Sequence, residues 1–430
     1  MKRFIVIVLD GYGIGAMDDV PALRPQDTGA NTARHIFEAV PGLRLPVLEA
    51  LGLGNALTAS ERDGNVNRPL PGNISLSENC CYGFHRLAHF GADTFWGHQE
   101  LMGTKPLRGE SAPIRVQLPE IKKALEAAGH SVRFYTGGRD EPNLSRPGAV
   151  SGILVVDEAV TIGDNLETDL GNNYNVTAAL DSMPFEKVRA IGAIVRSLVR
   201  SSRVIVFGGE GVTLGDILSA YEHQGEYAGV SAPRSGVYRK GYQVVHLGYG
   251  VDPSVQVPAR LAAAGLPTVL IGKVADIVEN PSGKSIPGVD TEEMLRAGEA
   301  ALDDLSEGYI CINVQETDLS GHREDSQLYA EKLRLADRGI SGIMKKMEEH
   351  DILVVTADHG NDPTIGHAQH TREKTPVLVY GSKITPGFIG PRESLADTGC
   401  TVCDYFGAPF PEFGASYLQH IVKIRPNQPV

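Results

Sequence analysis

Five short apolar runs punctuate the chain, at residues 4–9, 267–272, 309–314, 352–355 and 376–380, each bounded by polar or glycine-bearing stretches. Their length and β-branched content predict buried strands. Amphipathic stretches at about 258–264, 291–305 and 325–348 lie between them and predict helices. Strands alternating with helices indicate a parallel-rich sheet covered by helices on both faces, an α/β architecture. The texture changes over 105–247, where a charged helix at 120–128 mixes with short strands such as 153–156 and 204–207. Loops there, at 137–147 and 171–173, are rich in glycine, asparagine and proline. The pattern predicts a core made of 1–104 and 248–430, with 105–247 an inserted α+β domain jointed near Gly103 and Gly248 to Gly250. Earlier in the chain, 31–35 reads as a helix, 45–55 as a short connection, and the polar stretch 59–79 as surface loops.

The polar residues that follow the strands carry the candidate chemistry. Asp10 stands immediately after 4–9, Asp318 and His322 follow 309–314, and Asp358 with His359 follows 352–355, with His367 and His370 further along the same loop. Binding sites in such sheets form outside the carboxyl ends of the strands. Carboxylate oxygens with imidazole nitrogens suit a catalytic divalent metal. The plainer alternative, that each acid caps a turn or helix, loses weight because three separate strands end this way. Gly11, Gly13 and Gly15 invite a dinucleotide-binding reading, but the spacing is wrong and the acid precedes the glycines. A second stretch, 93–103, holds the single tryptophan, Trp96, beside Asp93, Thr94 and His98. A threonine held against a metal is an activated nucleophile; the alternative is a capped helix start with Asp93 or Thr94 as the cap. His85 and His89, four apart, would share one face of a helix and read as satisfied histidines.

Totals narrow the field. At 430 residues two domains are expected. The formal net charge of −13 argues against nucleic acid or an anionic membrane as a partner. Five scattered cysteines suit a reducing compartment, and Cys400-x-x-Cys403 reads as buried thiols on a helix. The run at 4–9 is too short for a signal peptide, and no segment has the roughly 20 apolar residues of a spanning helix. A cytoplasmic protein is expected. Arg234, Arg239 and Lys240 form a basic cluster, read as a solvated face ahead of an anion site.

Taken together, these motifs resemble the alkaline phosphatase superfamily, and within it the phosphopentomutases. The resemblance runs through Asp10 with Gly13-Ile14-Gly15, Leu51 to Asn55, Asp93-Thr94 with Gly97-His98, and Met102-Gly103. It continues through Ile271-Gly272-Lys273, Asp276-Ile277, Gly321-His322-Arg323, Thr356 to Thr364, His370 to Glu373, and Ala396-Asp397 to Asp404. It implies an alkaline-phosphatase-like core with an inserted cap and two manganese ions, other divalent metals being alternatives. Asp318, His322 and His370 would hold one ion, and Asp10, Asp358, His359 and the Thr94 hydroxyl the other. Thr94 would carry the phosphoryl group while 105–247 binds and reorients substrate. The implied activity is an isomerase interconverting (deoxy)ribose 1-phosphate and 5-phosphate, with a sugar bisphosphate as activator and a small sugar phosphate as the partner.

Three differences accompany the resemblance. Asp318 lies four residues before His322, where phosphopentomutases have five; Trp96 replaces a threonine; and 105–247 lacks the family's Ser-Ala-Asp turn. The nearest counterparts of that turn are Asp157-Glu158 and Gly163-Asp164-Asn165. The alternative functions are a phosphatase or phosphonate hydrolase on the same metal core, a mutase for another sugar phosphate, and a non-catalytic metal-stabilised binding protein. His367, outside the family pattern, reads as exposed rather than as support for a ligand.

Overall fold

The computed structural model describes residues 1–138, 152–167 and 170–422. They fall into two compact units, Met1–Pro106 with Asp252–Val430, and Leu107–Val251. Of the loop expected at 137–147, residues 139–147 lie outside the described residues.

Among the described residues the first unit is built on an eight-stranded sheet. Its order is Lys284–Ile286, Thr268–Ile271, Glu307–Val314, Lys2–Leu9, Ile352–Thr356, Thr375–Tyr380, Cys81–His85, Gly387–Arg392. The first five strands run parallel, and Thr375–Tyr380 is antiparallel to both its neighbours. Side chains alternate across the sheet as the pleat requires. Ile5, Ile7 and Leu9 join Ile36, Leu57, Leu295 and Leu333 in one core. Phe4, Val6 and Val8 join Leu101, Leu261 and Val402 in a second core on the opposite face. Helices Thr32–Ala39, Leu53–Asp63, Thr291–Asp304 and Ser326–Lys346 thus cover one face, while Thr94–Leu101, Val257–Ala263 and Ala396–Phe406 cover the other. Both faces bury apolar area, the main favourable term in folding.

Two local expectations change. Residues 45–55 are not a connection: helices Pro46–Leu51 and Leu53–Asp63 meet at Gly52, whose φ of 104° only glycine adopts readily. The second helix takes in the start of the polar stretch, 59–63, where Ser60 and Glu61 turn inward, Ser60 donating to Ile14 O and Glu61 pairing with Arg34. His85 and His89 do not share a helix, since the aromatic-rich Cys81–His85 pairs as a strand on both edges. Both histidines are buried: His85 Nε2 lies 3.0 Å from Thr398 Oγ1 and His89 Nδ1 2.7 Å from Glu100 Oε2, while His89 Nε2 is left without a hydrogen-bond partner.

Among the described residues the second unit has a six-stranded sheet, ordered Gln243–Gly248, Arg203–Gly209, Asn173–Ala179, Val160–Asp164, Ile153–Val156, Val132–Tyr135. All its neighbours are antiparallel except Asn173–Ala179 with Arg203–Gly209. Helices Leu118–Ala127 and Phe185–Leu198 share a core with one face. Asp157 and Glu158 make an exposed turn in left-handed backbone, paired with His130 and Arg133. Asp164 is fully buried and accepts from Ile114 N and Ala228 N, both at 2.8 Å. In the basic cluster Arg234 pairs with Glu222 at 2.8 Å and Lys240 with Glu210 at 3.3 Å, which neutralises much of its charge at the surface.

All five cysteines are free and buried. Burial pushes Cys400 and Cys403 up to about 12, so neither offers a thiolate at neutral pH. Among the described residues no helix is long and apolar enough to cross a membrane.

Candidate metal centre and nucleophile

Parallel pairing aligns the ligand-bearing strand ends. Val8 is in register with Asn313 on one side and Thr356 on the other. Asp10 and Asp358 therefore emerge side by side, and Asp318 follows one turn into the helix Glu316–His322. His322, four residues on, returns to the same helical face, with Nε2 3.4 Å from Asp318 Oδ2. Past His359 the chain loops out and is pinned by reciprocal backbone bonds between Gly360 and Thr371, which deliver His370 to the site.

Thr94 is the first residue of helix Thr94–Leu101. Asp93 caps that helix by accepting from Trp96 N at 3.1 Å, which leaves the Thr94 hydroxyl free of the capping role. Thr94 Oγ1 lies 2.6 Å from His359 Nε2 and 3.4 Å from Asp10 Oδ1. His370 Nε2 is 3.2 Å from Asp318 Oδ1, and the rings of His359 and His370 stack with centroids 4.0 Å apart. All seven residues singled out in the sequence thus converge. Two sets have ligand atoms within 4.8 Å of one another: Asp318, His359 and His370, and Asp10, Asp358 and His359. His359 stands between the two, and His322 adjoins the first.

The donor set fits divalent cations on its own terms. Nδ1 of His322 lies 2.7 Å from Ala368 O, that of His359 2.9 Å from Gly360 O, and that of His370 3.1 Å from Ala92 O. A carbonyl only accepts, so each Nδ1 carries a proton and each Nε2 faces inward, available to a cation. Nε2 of His322 and Nε2 of His370 are 3.0 Å apart, an arrangement of two lone pairs that calls for a cation between them. Asp358 Oδ2 is buried with no hydrogen-bond donor, the orphaned acceptor a metal would satisfy.

Charge shifts express the same demand. Burial opposes charge on His359, yet Asp358, Asp10 and Asp318 around it raise the ring to about 10. Burial likewise opposes the Asp318 and Asp358 carboxylates, but the surrounding cations hold both below the usual carboxylate range. The field of three buried acids thus draws positive charge into the site.

Residues not assigned from the sequence complete the site. Lys273 Nζ lies 3.0 Å from Thr94 Oγ1, 3.1 Å from Asp10 Oδ2 and 3.4 Å from Asp318 Oδ2. Burial disfavours its charge, but Asp10, Asp318 and Asp358 more than compensate and keep it an ammonium. Its signal was a lysine one residue past a strand, beside Gly272. His367 is not exposed: half-buried, it places Nε2 3.2 Å from Asp27 Oδ1, because the Gly360–Thr371 loop folds over Asp27.

The Metalloenzyme superfamily model matches residues 2–409 of the chain. A phosphopentomutase of Symbiobacterium thermophilum is 31% identical over 436 residues, covering 98% of this chain and 99% of its own. One of Actinobacillus succinogenes is 30% identical over 437 residues, covering 97% and 100%. Among solved structures, Leishmania mexicana phosphoglycerate mutase aligns over 97% of each chain at 12% identity, with a TM-score of 0.46. The chain belongs to the phosphopentomutase family of the metalloenzyme superfamily. It is an isomerase, a metal-dependent phosphomutase on a parallel-rich α/β core.

Proposed function

We propose that the enzyme interconverts (deoxy)ribose 1-phosphate and 5-phosphate through a phosphothreonine at Thr94, with two manganese ions and a sugar bisphosphate primer. The observation that carries this reading is the position of Thr94 Oγ1, 2.6 Å from His359 Nε2 and 3.0 Å from Lys273 Nζ at a helix start. Asp318, His322 and His370 would hold one ion, and Asp10, Asp358, His359 and Thr94 the other. When bound, the ions supply positive charge to the Thr94 alkoxide and to the oxygens of the transferring phosphoryl group.

The chain's own groups do the rest. Lys273 adds a fixed ammonium at the hydroxyl, already oriented by two carboxylates, so it needs no reorganisation as charge develops. In the forward half the P–Oγ bond of phosphothreonine breaks and a bond to the free sugar hydroxyl forms, giving the bisphosphate and returning a proton to Thr94. In the second half the sugar's other phosphoryl group passes to Thr94, leaving the isomer. The primer loads a Thr94 that has lost its phosphoryl group. We assign substrate recognition to the Leu107–Val251 unit, which contributes none of the candidate ligands.

The test is a coupled assay with manganese, a sugar bisphosphate and ribose 1-phosphate, following ribose 5-phosphate and free phosphate together. Isomer without free phosphate supports the proposal. Free phosphate without isomer makes the enzyme a hydrolase, and silence on both with manganese bound removes the pentose as substrate.

A further inference from the structure

Beneath Thr94 two buried polar side chains outside the candidate ligand set, Asn313 and His98, link members of that set to one another. Asn313 is the one amide in the apolar strand Glu307–Val314, and it is fully buried. Its Nδ2 lies 3.2 Å from Asp10 Oδ2 and 3.1 Å from His98 Nε2. A carboxylate only accepts, so the amide must present its nitrogen to Asp10. The second amide hydrogen then goes to His98 Nε2, which makes Nε2 the acceptor and places the ring proton on Nδ1. That proton goes to Thr94 O at 3.1 Å, and Nδ1 also lies 3.2 Å from Asp358 Oδ2 as a polar contact without hydrogen-bond geometry. Every donor and acceptor role along these links agrees with the next.

Backbone geometry makes this contact obligatory. A Cβ on Gly97 would lie 2.7 Å from Asp358 O and 2.8 Å from Asp358 Cβ, so glycine there lets the helix settle directly on the strand end. His98, the next residue, is fully buried as a result.

We infer that Asn313 and His98 are positioning residues that lock Asp10, Asp358 and the Thr94 backbone into one constellation, setting the affinity of the Thr94-side ion but not of the Asp318-side ion. The inference rests on the two-ion reading above. Asn313 fixes the rotation of the Asp10 carboxylate, and His98 fixes the distance from Thr94 to Asp358. Neither group touches Asp318, His322 or His370, whose supports are Asn361 Nδ2, at 2.8 Å from Asp318 Oδ1, and the carbonyls of Ala368 and Ala92. Removing such supports from metal ligands typically weakens binding by about 10- to 100-fold.

The experiment is calorimetric titration of the chelator-stripped full chain with manganese, comparing wild type, Asn313→Leu and His98→Gln. Asn313→Leu keeps the volume and removes both donors; His98→Gln keeps an acceptor for Asn313 and removes the contact to Thr94 and Asp358. The expected result is one class of site weakened about 10- to 100-fold in each variant, with the other within about twofold of wild type. Repeating Asn313→Leu in a His322→Ala background reads the Thr94-side ion in isolation and assigns the loss. Thermal melts of the metal-free proteins separate folding from binding, because a merely structural role lowers the melt without selecting one ion. Wild-type affinities in both folded variants, or equal loss at both ions, overturn the inference. A wild type that binds a single ion overturns the two-ion reading instead, and the inference then stands only if both variants weaken that ion.

Discussion

Gly97 stands against Asp358 so closely that any side chain there would meet the aspartate's own backbone, at 2.7 Å from its carbonyl oxygen. The contact sets how far the helix that starts at Thr94 sits from the strand end that carries Asp358. Gly97→Ala must move one against the other. A displacement near 1 Å costs on the order of 100-fold in rate when reacting groups are misplaced. Steady-state kinetics of Gly97→Ala should show that loss mainly in kcat, with a folded protein by circular dichroism.

Thr94→Ala should abolish transfer and phosphoenzyme formation while leaving most metal binding, because five carboxylate and imidazole groups of the two clustered sets remain. Incubation with labelled sugar bisphosphate, followed by intact-mass analysis, reads the phosphoenzyme directly. A variant that retained full activity would remove Thr94 from the mechanism.

Lys273→Met should lower kcat by roughly 100- to 1,000-fold, the usual loss on removing one preorganised charge-stabilising donor. Since Lys273 also faces Asp10 and Asp318, the metal-free variant leaves those acids without their ammonium partner. Its metal-free melt should therefore fall while its manganese-loaded melt recovers, a difference visible by scanning calorimetry.

His85 predicts an acid-sensitive stability. Burial lowers its ring to about 3 from an ordinary 6.5, so the folded chain keeps it neutral while the unfolded chain protonates it first. Its contribution is present above about pH 6.5 and is lost as pH falls toward 3. Between pH 6.5 and 5 the loss should reach about 2 kcal/mol, from 1.36 kcal/mol per unit for one proton. Urea unfolding across that range should show a shallower dependence in His85→Gln than in wild type.

The legible part of this protein was local. Runs of β-branched residues, their lengths and the acids that follow them are short-range features, and strand ends at Asp10, Asp318 and Asp358 were readable because ligands in parallel sheets gather there. Polar residues turned inward were harder. Ser60 and Glu61 looked like loop residues, and Asn313 passed unnoticed inside an apolar strand, because their partners Ile14, Arg34, Asp10 and His98 lie far away in the chain.

By itself the sequence determined the alternating elements, the acids and imidazoles at the strand ends, and the threonine at a helix start, since periodicity and capping act over a few residues. Tertiary structure alone decided which groups meet. Strand order put Lys2–Leu9 between Glu307–Val314 and Ile352–Thr356, and the register Val8 with Asn313 and Thr356 then fixed the distances among Asp10, Asn313 and Asp358. The same packing brought Lys273 to Thr94 and turned Nε2 of His322 and His370 inward, because carbonyls of separate segments, Ala368 and Ala92, hold the Nδ1 of each ring.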